Sequence, residues 1–352
     1  MNINLSDNLG KNLIINPSMD IAQRNTSFNV IASETYTLDR WKLNMGGAAY
    51  SLGVNQVADV PAWSQSTYSL KVTNQAAFVA PATSFMGVTQ LVEGYNLRRL
   101  KSKKSIISFS VKASKAGVYT VLFMNASQDV RMTKAFTVNT ANTWEKKVIK
   151  LPVINEALGT GFNFDNTTGL QVHFTLISGS TYIASNEDWG VQNIVGSPTH
   201  NVDFGDTVGN TFQVTDVALH EGIEEIPFEK LVRDYPKELQ LCQRYFEKSY
   251  DIGTPVGTLN SFHGRFHASV NSNGRWSVFT TFKVQKRSIP LLLAYSPTTG
   301  NINNYIDETV NLQRPIGFTE VGEWSCSITN LGANVATSSG QISIHWTADA
   351  EL

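Results

Sequence analysis

Short runs that alternate apolar and polar residues, separated by clusters of Gly, Asn, Ser and Pro, fill most of this 352-residue sequence. A period of two puts successive side chains on opposite faces of a strand, so one face is buried and the other wetted. Ser69 to Thr73, Ser105 to Ala113, Leu170 to Ile177 and Thr211 to Leu219 all alternate. In the second of these, Ile107, Phe109 and Val111 share a face. Val118 to Met124 is mostly apolar and reads as a central strand. Residues 12–16 read as a short apolar strand ended by Asn16-Pro17. Tyr36 to Leu43, Ala135 to Val138 and Thr143 to Leu151 add further strands, with Trp144 heading the last. Many short strands with turn signals between them predict an all-β, antiparallel sandwich.

One segment breaks the pattern. Asp234 to Tyr250 carries an amphipathic helical stripe, Leu239, Cys242 and Phe246, with Asp234 as N-cap and Pro236 in the first turn. A second strand-rich block follows, with runs at Arg275 to Val284, Ser288 to Tyr295, Trp324 to Thr329 and Gly340 to Thr347. The expected organisation is an N-terminal segment (1–11), a β-sandwich (12–233), a short connecting α-helix (234–250) and a C-terminal β-sandwich (251–352). A helix this short is marginal alone. Its stripe is expected either to organise an oligomer around an axis or to plug a sandwich. Residues 53–67 and 184–210 read as long polar loops.

Composition narrows the function. Charged residues are 16% and the formal net charge is −1, so no basic excess grips a phosphate backbone. Cys242 and Cys326 are the only cysteines and have no metal-site spacing. The start of the chain has no cationic and apolar leader pattern, and no apolar run is long enough to cross a bilayer. The sequence therefore predicts no signal peptide and no membrane insertion, with synthesis in a cytoplasm.

The wording of several segments resembles a known family. Asn12-Leu-Ile-Ile-Asn16-Pro17, Gln23-Arg24 and Tyr36-Thr-Leu-Asp39-Arg40-Trp41 look like the opening of the carbohydrate-binding-module-like jelly roll of phage tail proteins. Gln90 to Gly94 and Ile107 to Ser114 resemble its middle strands. Phe212 to Gly222 with Pro227-Phe228-Glu229 resembles its closing strand, and Leu241 to Phe246 its following helix. Tyr295 to Gly300 and Thr347 to Leu352 are similar to a C-terminal β domain at the tips of such fibres. The resemblance implies a virion tail fibre or receptor-binding protein, a homotrimer attaching to host-surface polysaccharide without catalysis, made in the host cytoplasm. Residues 1–11 are then expected to meet other virion tail proteins. The competing readings are a head, baseplate or tail decoration protein that binds other virion proteins, and a polysaccharide depolymerase.

Sugar recognition needs a flat apolar platform and directional hydrogen bonds. Trp189, beside Asp188 in a polar loop, and Trp63, with Tyr68 nearby, are the stacking candidates. Their alternative role is to anchor loops or subunit interfaces. Trp41 and Trp144 read as core, and Trp276, Trp324 and Trp346 as core or interface. A structural Ca2+ is weighed at Asp216, with Asp20 and Asn16 as further oxygen donors, against a plain hydrogen-bonded aspartate. His263 and His267 are spaced i, i+4 but lie in strand-like sequence. Glu187/Asp188 and Glu224/Glu225 are adjacent carboxylates without any other catalytic signature, so no enzymatic cofactor or active site is expected.

Overall fold

Alternation becomes layering when each strand's apolar face meets another sheet. The computed structural model describes residues 12–184, 187–330 and 340–352. Residues 1–11, expected as an attachment segment, lie outside them. The chain divides into two units: residues 12–20 and 26–235 with Leu352, and Ile21–Asn25 with Pro236–Glu351.

The first unit contains, in chain order, β1 (Ser27–Val30), β2 (Thr35–Tyr36), β3 (Trp41–Gly46), β4 (Leu52–Val57), β5 (Ser69–Asn74) and β6 (Phe85–Glu93). A one-turn helix α1 (Gly94–Leu97) leads to β7 (Ser105–Ala113), β8 (Gly117–Met124), β9 (Arg131–Val138), β10 (Glu145–Leu151), β11 (Thr168–Ser178) and β12 (Thr211–Glu221). They form two six-stranded antiparallel sheets, β1-β4-β5-β12-β7-β10 and β2-β3-β6-β11-β8-β9. This is the antiparallel β-sandwich that the alternation predicted, with the jelly-roll architecture that the resemblance implied. The layers meet where Phe109 of the first sheet packs edge-on against Phe174 of the second, ring centroids 4.9 Å apart. Trp41 is fully buried beside Phe174, as expected of a core residue.

Residues 12–16 are not a strand. Beside a backbone bond from the Leu13 N–H to the Leu219 carbonyl at 2.8 Å, side-chain amides stand in for a ladder. Asn12 Nδ2 donates to the Val217 carbonyl at 2.9 Å and Asn12 Oδ1 accepts from Leu219 N at 2.9 Å. Gln90 does the same for Ile15, accepting its N–H and donating to its carbonyl at 2.8 Å each. Two further expectations change. Tyr36 to Leu43 is not one strand: it holds the end of β2, a turn over residues 37–40 with Arg40 at φ 71°, and the start of β3, which pairs back on β2. The loop expected at 53–67 begins as strand β4, paired with β5 from Leu52 to Val57.

The second unit holds α2 (Tyr235–Gln243), β13 (Phe246–Lys248), β14 (Phe266–Ser269), β15 (Ser277–Thr281), β16 (Leu291–Tyr295), β17 (Asn304–Asp307), β18 (Leu312–Thr319), β19 (Ser325–Asn330) and β20 (Gln341–Asp349). The long β20 is its spine. Its Thr347–Asp349 end pairs with β13, its His345–Asp349 stretch with β16, and Gln341–Ile344 with β14. Trp276, Trp346, Tyr305, Cys326 and Phe282 fill the core. Trp324 is 60% exposed.

The helical stripe needs correction. The helix stops at Gln243, and Phe246 belongs to β13, held against Asp349 of β20. Phe246 and Cys242 are buried within the chain and Leu239 is half-buried. The guanidinium of Arg24 lies 3.8 Å from the Phe246 ring centroid. The three residues therefore do not form one open helical face for an oligomer axis.

Candidate functional site: the polar face of the first sheet

Strand parity sends Ser108, Ser110 and Lys112 of β7 to the face opposite Ile107, Phe109 and Val111. Register then aligns them with their neighbours. Lys146, Ser110 and Thr215 form one cross-strand row, and Lys112, Gln213 and Lys71 form the next. The outer face of this sheet is therefore polar from β10 to β5.

A β-bulge completes it. The β12–β7 register shifts between Thr215 and Ala218, and Asp216 sits in the bulge at φ 54°. Without the bulge, Asp216 would share a face with Phe212 and Val214. With it, Oδ1 accepts from the hydroxyls of Ser64 and Ser66 at 2.6 Å each, and Oδ2 from Ser110 at 2.8 Å. These bonds fasten the Ser64–Ser66 segment to the sheet. The Ser64 N–H also donates to the Pro61 carbonyl at 2.9 Å, closing a turn that carries Trp63. Trp63 is 56% exposed. It borders a cavity of about 280 Å³ whose other walls include Ser108, Ser110, Lys146, Asp216 and Glu229.

A second cluster lies on the next row. The Asp59 carboxylate accepts from Trp144 Nε1 at 3.0 Å, from Gln213 Nε2 at 3.2 Å, and from the Lys112 ammonium. Partial burial pushes the Asp59 carboxyl up, but these hydrogen bonds outweigh it and hold the group below the usual carboxylate range. Lys112 also lies over the Trp144 ring, 5.3 Å from its centroid. Trp144 is thus half-buried on the polar face, not in the core. Its parity with Lys146 and Lys150 was the available signal. Asp59, Lys112 and Gln213 carried no motif and were missed.

The remaining candidates separate. Trp189 is no platform. It is 9% exposed and packs edge-on against Phe162 at 5.1 Å, while Asp188 accepts the Trp189 N–H at 2.8 Å. The neighbouring Gly190 exchanges backbone hydrogen bonds with Arg131, so the loop is stitched to the sandwich and the Trp is its anchor. Ser185 and Asn186 of this loop lie outside the described residues. Tyr68 is half-buried, and its carbonyl accepts from Thr215 Oγ1 at 2.9 Å. It does not line the Trp63 cavity.

The calcium donors do not compose a cage. Both Asp216 oxygens are engaged by serine hydroxyls, and Asn16 Nδ2 donates to the Asp39 carbonyl at 3.0 Å while its own carbonyl accepts from Trp41 Nε1 at 3.0 Å. Asp20 is half-buried on the same N-terminal segment. No group of three or more His, Cys, Asp or Glu suited to a metal occurs among the described residues. His267 lies on strand β14, so its spacing from His263 is not that of one helix face. Glu224 and Glu225 are surface ion-pair partners of Lys150 and Lys146. No described helix is long and apolar enough to cross a membrane.

No protein-family model matches this chain, and no curated protein matches it. Among solved structures it is similar to the enzymatically active domain of bacteriophage CBA120 tailspike protein 4, at 12% identity and TM-score 0.31, over 52% of this chain and 19% of that one. It is similar to a putative sugar binding protein from Bacteroides thetaiotaomicron, at 14% identity and TM-score 0.36, over 60% of this chain and all of that one (100%). A third is the family 11 carbohydrate-binding module of the Clostridium thermocellum cellulase Lic26A-Cel5E, at 11% identity and TM-score 0.30, over 56% of this chain and 97% of that one. These overlaps are shallow. The sandwich assignment stands on the two sheets and their register.

Proposed function

We propose that the first unit binds oligosaccharide, without catalysis, on the polar face of its first sheet. The observation that carries this reading is Trp63, an exposed indole fixed beside a cavity lined by Ser108, Ser110, Lys146 and Asp216. A sugar's C–H face stacks on the indole while its hydroxyls exchange hydrogen bonds with the serines, Lys146 and Glu229. The cluster of Asp59, Lys112, Trp144 and Gln213 on the adjacent row extends the surface for a longer chain.

The resemblance of the sequence to phage tail proteins supports reading this face as the attachment surface of a tail fibre or receptor-binding protein. In that setting, copies in a trimer turn weak single sites into avid host binding. A glycan array probed with the intact protein, and repeated with Trp63→Ala, tests the reading. Binding lost in the variant supports it. No glycan bound by the unmodified protein overturns it. Gold-labelled antibody that places the protein away from the tail tip favours the decoration-protein reading. Asp216 and Glu229 border the same cavity, but both Asp216 oxygens are committed to serines. Reducing ends released from host polysaccharide, and abolished by Glu229→Gln, would move the protein to the hydrolases.

A further inference from the structure

The outer face of the first sheet does not end at the Trp63 cavity. On β10, Lys146, Val148 and Lys150 alternate outward, paired with Ser110, Ser108 and Ile106 of β7. The Gly222 N–H donates to the Lys104 carbonyl at 2.9 Å, so the β12–β7 ladder runs one pair past Glu221 and Ser105. Lys104 therefore keeps the parity of Ile106. It is a diagonal neighbour of Lys150, about 7–8 Å away between Cα atoms. Residues 222–229 run beside β10 as a wall. Glu225 of this wall meets Lys146 at 2.5 Å, and Glu224 meets Lys150 at 3.1 Å. The Trp63 cavity lies at the Lys146 end, against Phe228 and Glu229. A second cavity, of about 410 Å³, lies at the other end, lined by Lys104, Lys150, Leu151, Pro152, Ile223 and Glu224, among others. Lys146 and Lys150 are four residues apart, about 13 Å along the strand.

Charge distinguishes this second cavity. The nearby Lys103 is paired with Glu221, and Lys101 with Glu156. Lys104 is exposed and has no carboxylate partner among the described residues. Lys150 has Glu224, and the two side chains are 66% and 81% exposed. An ion pair this exposed is worth little, so a competing anion replaces it at small cost. The cavity thus offers two ammoniums against one loosely held carboxylate. Its other walls, Leu151, Pro152 and Ile223, are apolar.

We propose that this cavity is a second sugar subsite, which takes an acidic sugar, a hexuronate whose carboxylate bridges Lys104 and Lys150. The inference rests on the reading of this face as a sugar-binding face. The volume falls in the range of small-ligand sites, roughly 300–1,000 Å³. The C–H face of the ring lies against Pro152 and Ile223. The carboxylate accepts charge-assisted hydrogen bonds from both ammoniums and displaces Glu224 from Lys150. A neutral sugar gains nothing from that displacement and leaves Lys104 without a counter-charge. A cationic sugar meets two like charges. The Trp63 cavity, with Asp216 and Glu229 in its walls, has no such surplus of ammonium. The acidic unit therefore sits at the Lys104 end of a bound chain.

The test is a saturation-transfer NMR titration of the full chain with glucuronic acid and galacturonic acid. Each is compared with its methyl ester, which keeps the ring and removes the charge. At least one acid is expected to bind saturably, about tenfold more tightly than its ester. Lys104→Gln, at an exposed position, is expected to weaken that acid about tenfold. Glu224→Gln, which frees Lys150, is expected to strengthen it severalfold. Glu156→Gln removes the same charge beside Lys101, outside the cavity lining, and is expected to change nothing. An equal gain in both glutamine variants means diffuse attraction only and overturns the proposal. So does unchanged affinity in Lys104→Gln. Trp63→Ala is expected to leave binding of the single acidic sugar intact; its loss there places the acid in the first cavity and overturns the proposal. Glycans bound through Trp63, with neither acid preferred to its ester, overturn this subsite and leave the first-sheet reading standing. No glycan and no acid bound overturns both.

Discussion

Lys286 Nζ lies 2.5 Å from Glu247 Oε2, and neither side chain is reached by solvent. The same ammonium donates to the Gln243 carbonyl at 2.5 Å, in the last turn of α2, where a cation is favoured. Glu247 also accepts the Lys283 N–H at 3.0 and 3.1 Å. Burial pushes the Lys286 ammonium below the ordinary lysine range, against the opposing pull of Glu247. The pair ties the end of α2, β13 and the segment around Lys283 together inside the second unit. Removing one partner leaves the other charge buried. Lys286→Met is therefore expected to destabilise the second unit by about 3–5 kcal/mol. Lys286→Met with Glu247→Met should cost less than Lys286→Met alone. Urea unfolding of the unmodified protein, Lys286→Met, Glu247→Met and the double variant checks both statements. A double variant as unstable as the sum of its singles would show that the two residues act independently.

The two loop tryptophans should behave oppositely. Trp189→Ala removes a buried ring from Phe162 and is expected to destabilise the first unit by about 3 kcal/mol. Trp63→Ala removes an exposed ring and should change stability by well under 1 kcal/mol while removing glycan affinity. Thermal unfolding and a binding titration on each variant decide this. Unfolding at the same temperature for Trp189→Ala would remove its anchoring role.

These tryptophans also show how far the sequence was legible. Alternation located β7 to the residue, because Ile107, Phe109 and Val111 must all face one core. It also described Thr211 to Leu219 as a continuous strand, and there it hid the site. The bulge at Asp216 adds a residue, moving that carboxylate from the core parity to the outer face. A bulge leaves no mark on a period of two. Trp189 looked exposed because its loop is polar, yet the partner that buries it, Phe162, is remote in sequence. Trp144 was the converse case. Its parity with Lys146 and Lys150 pointed outward, while its size suggested core. Residues 12–16 misled because the Asn12 side chain takes the Ile14 N–H and Gln90 takes both backbone groups of Ile15, which no strand pattern encodes.

Acid should weaken both units in a defined window. Burial holds His173 near pKa 3, and His200 and His345 near 4, against 6.5 for the free side chain. His200 Nε2 faces the Val202 carbonyl at 3.1 Å, and His345 stacks on Tyr250 at 3.7 Å. In each case the unfolded chain binds the proton first. Stability is then complete above pH 6.5 and falls as pH drops towards 4, by on the order of 3 kcal/mol for each histidine. Urea midpoints at pH 7.5 and about 4.5 should differ accordingly. Equal midpoints, or a rise on acidification, contradict this assignment. His200→Gln should flatten the profile of the first unit only.

Asp216 combines a backbone and a side-chain requirement, and the two separate by substitution. At φ 54° a β-branched residue is strained, whereas Asn adopts this region readily. Asp216→Asn keeps the bulge and one carbonyl acceptor, so Ser64 and Ser66, which share Oδ1, retain a partner. Ser110, bound to Oδ2, then faces an amide NH2, to which its hydroxyl can turn as acceptor. The expected loss is about 1 kcal/mol. Asp216→Val loses all three hydroxyl partners and forces the strained backbone, so about 3 kcal/mol or more is expected. Because the serines hold the Trp63 turn, Asp216→Val should also weaken glycan binding with Trp63 still present. If Asp216→Val binds glycan as well as the unmodified protein, the serine cluster does not position Trp63 and the sugar site lies elsewhere on this face.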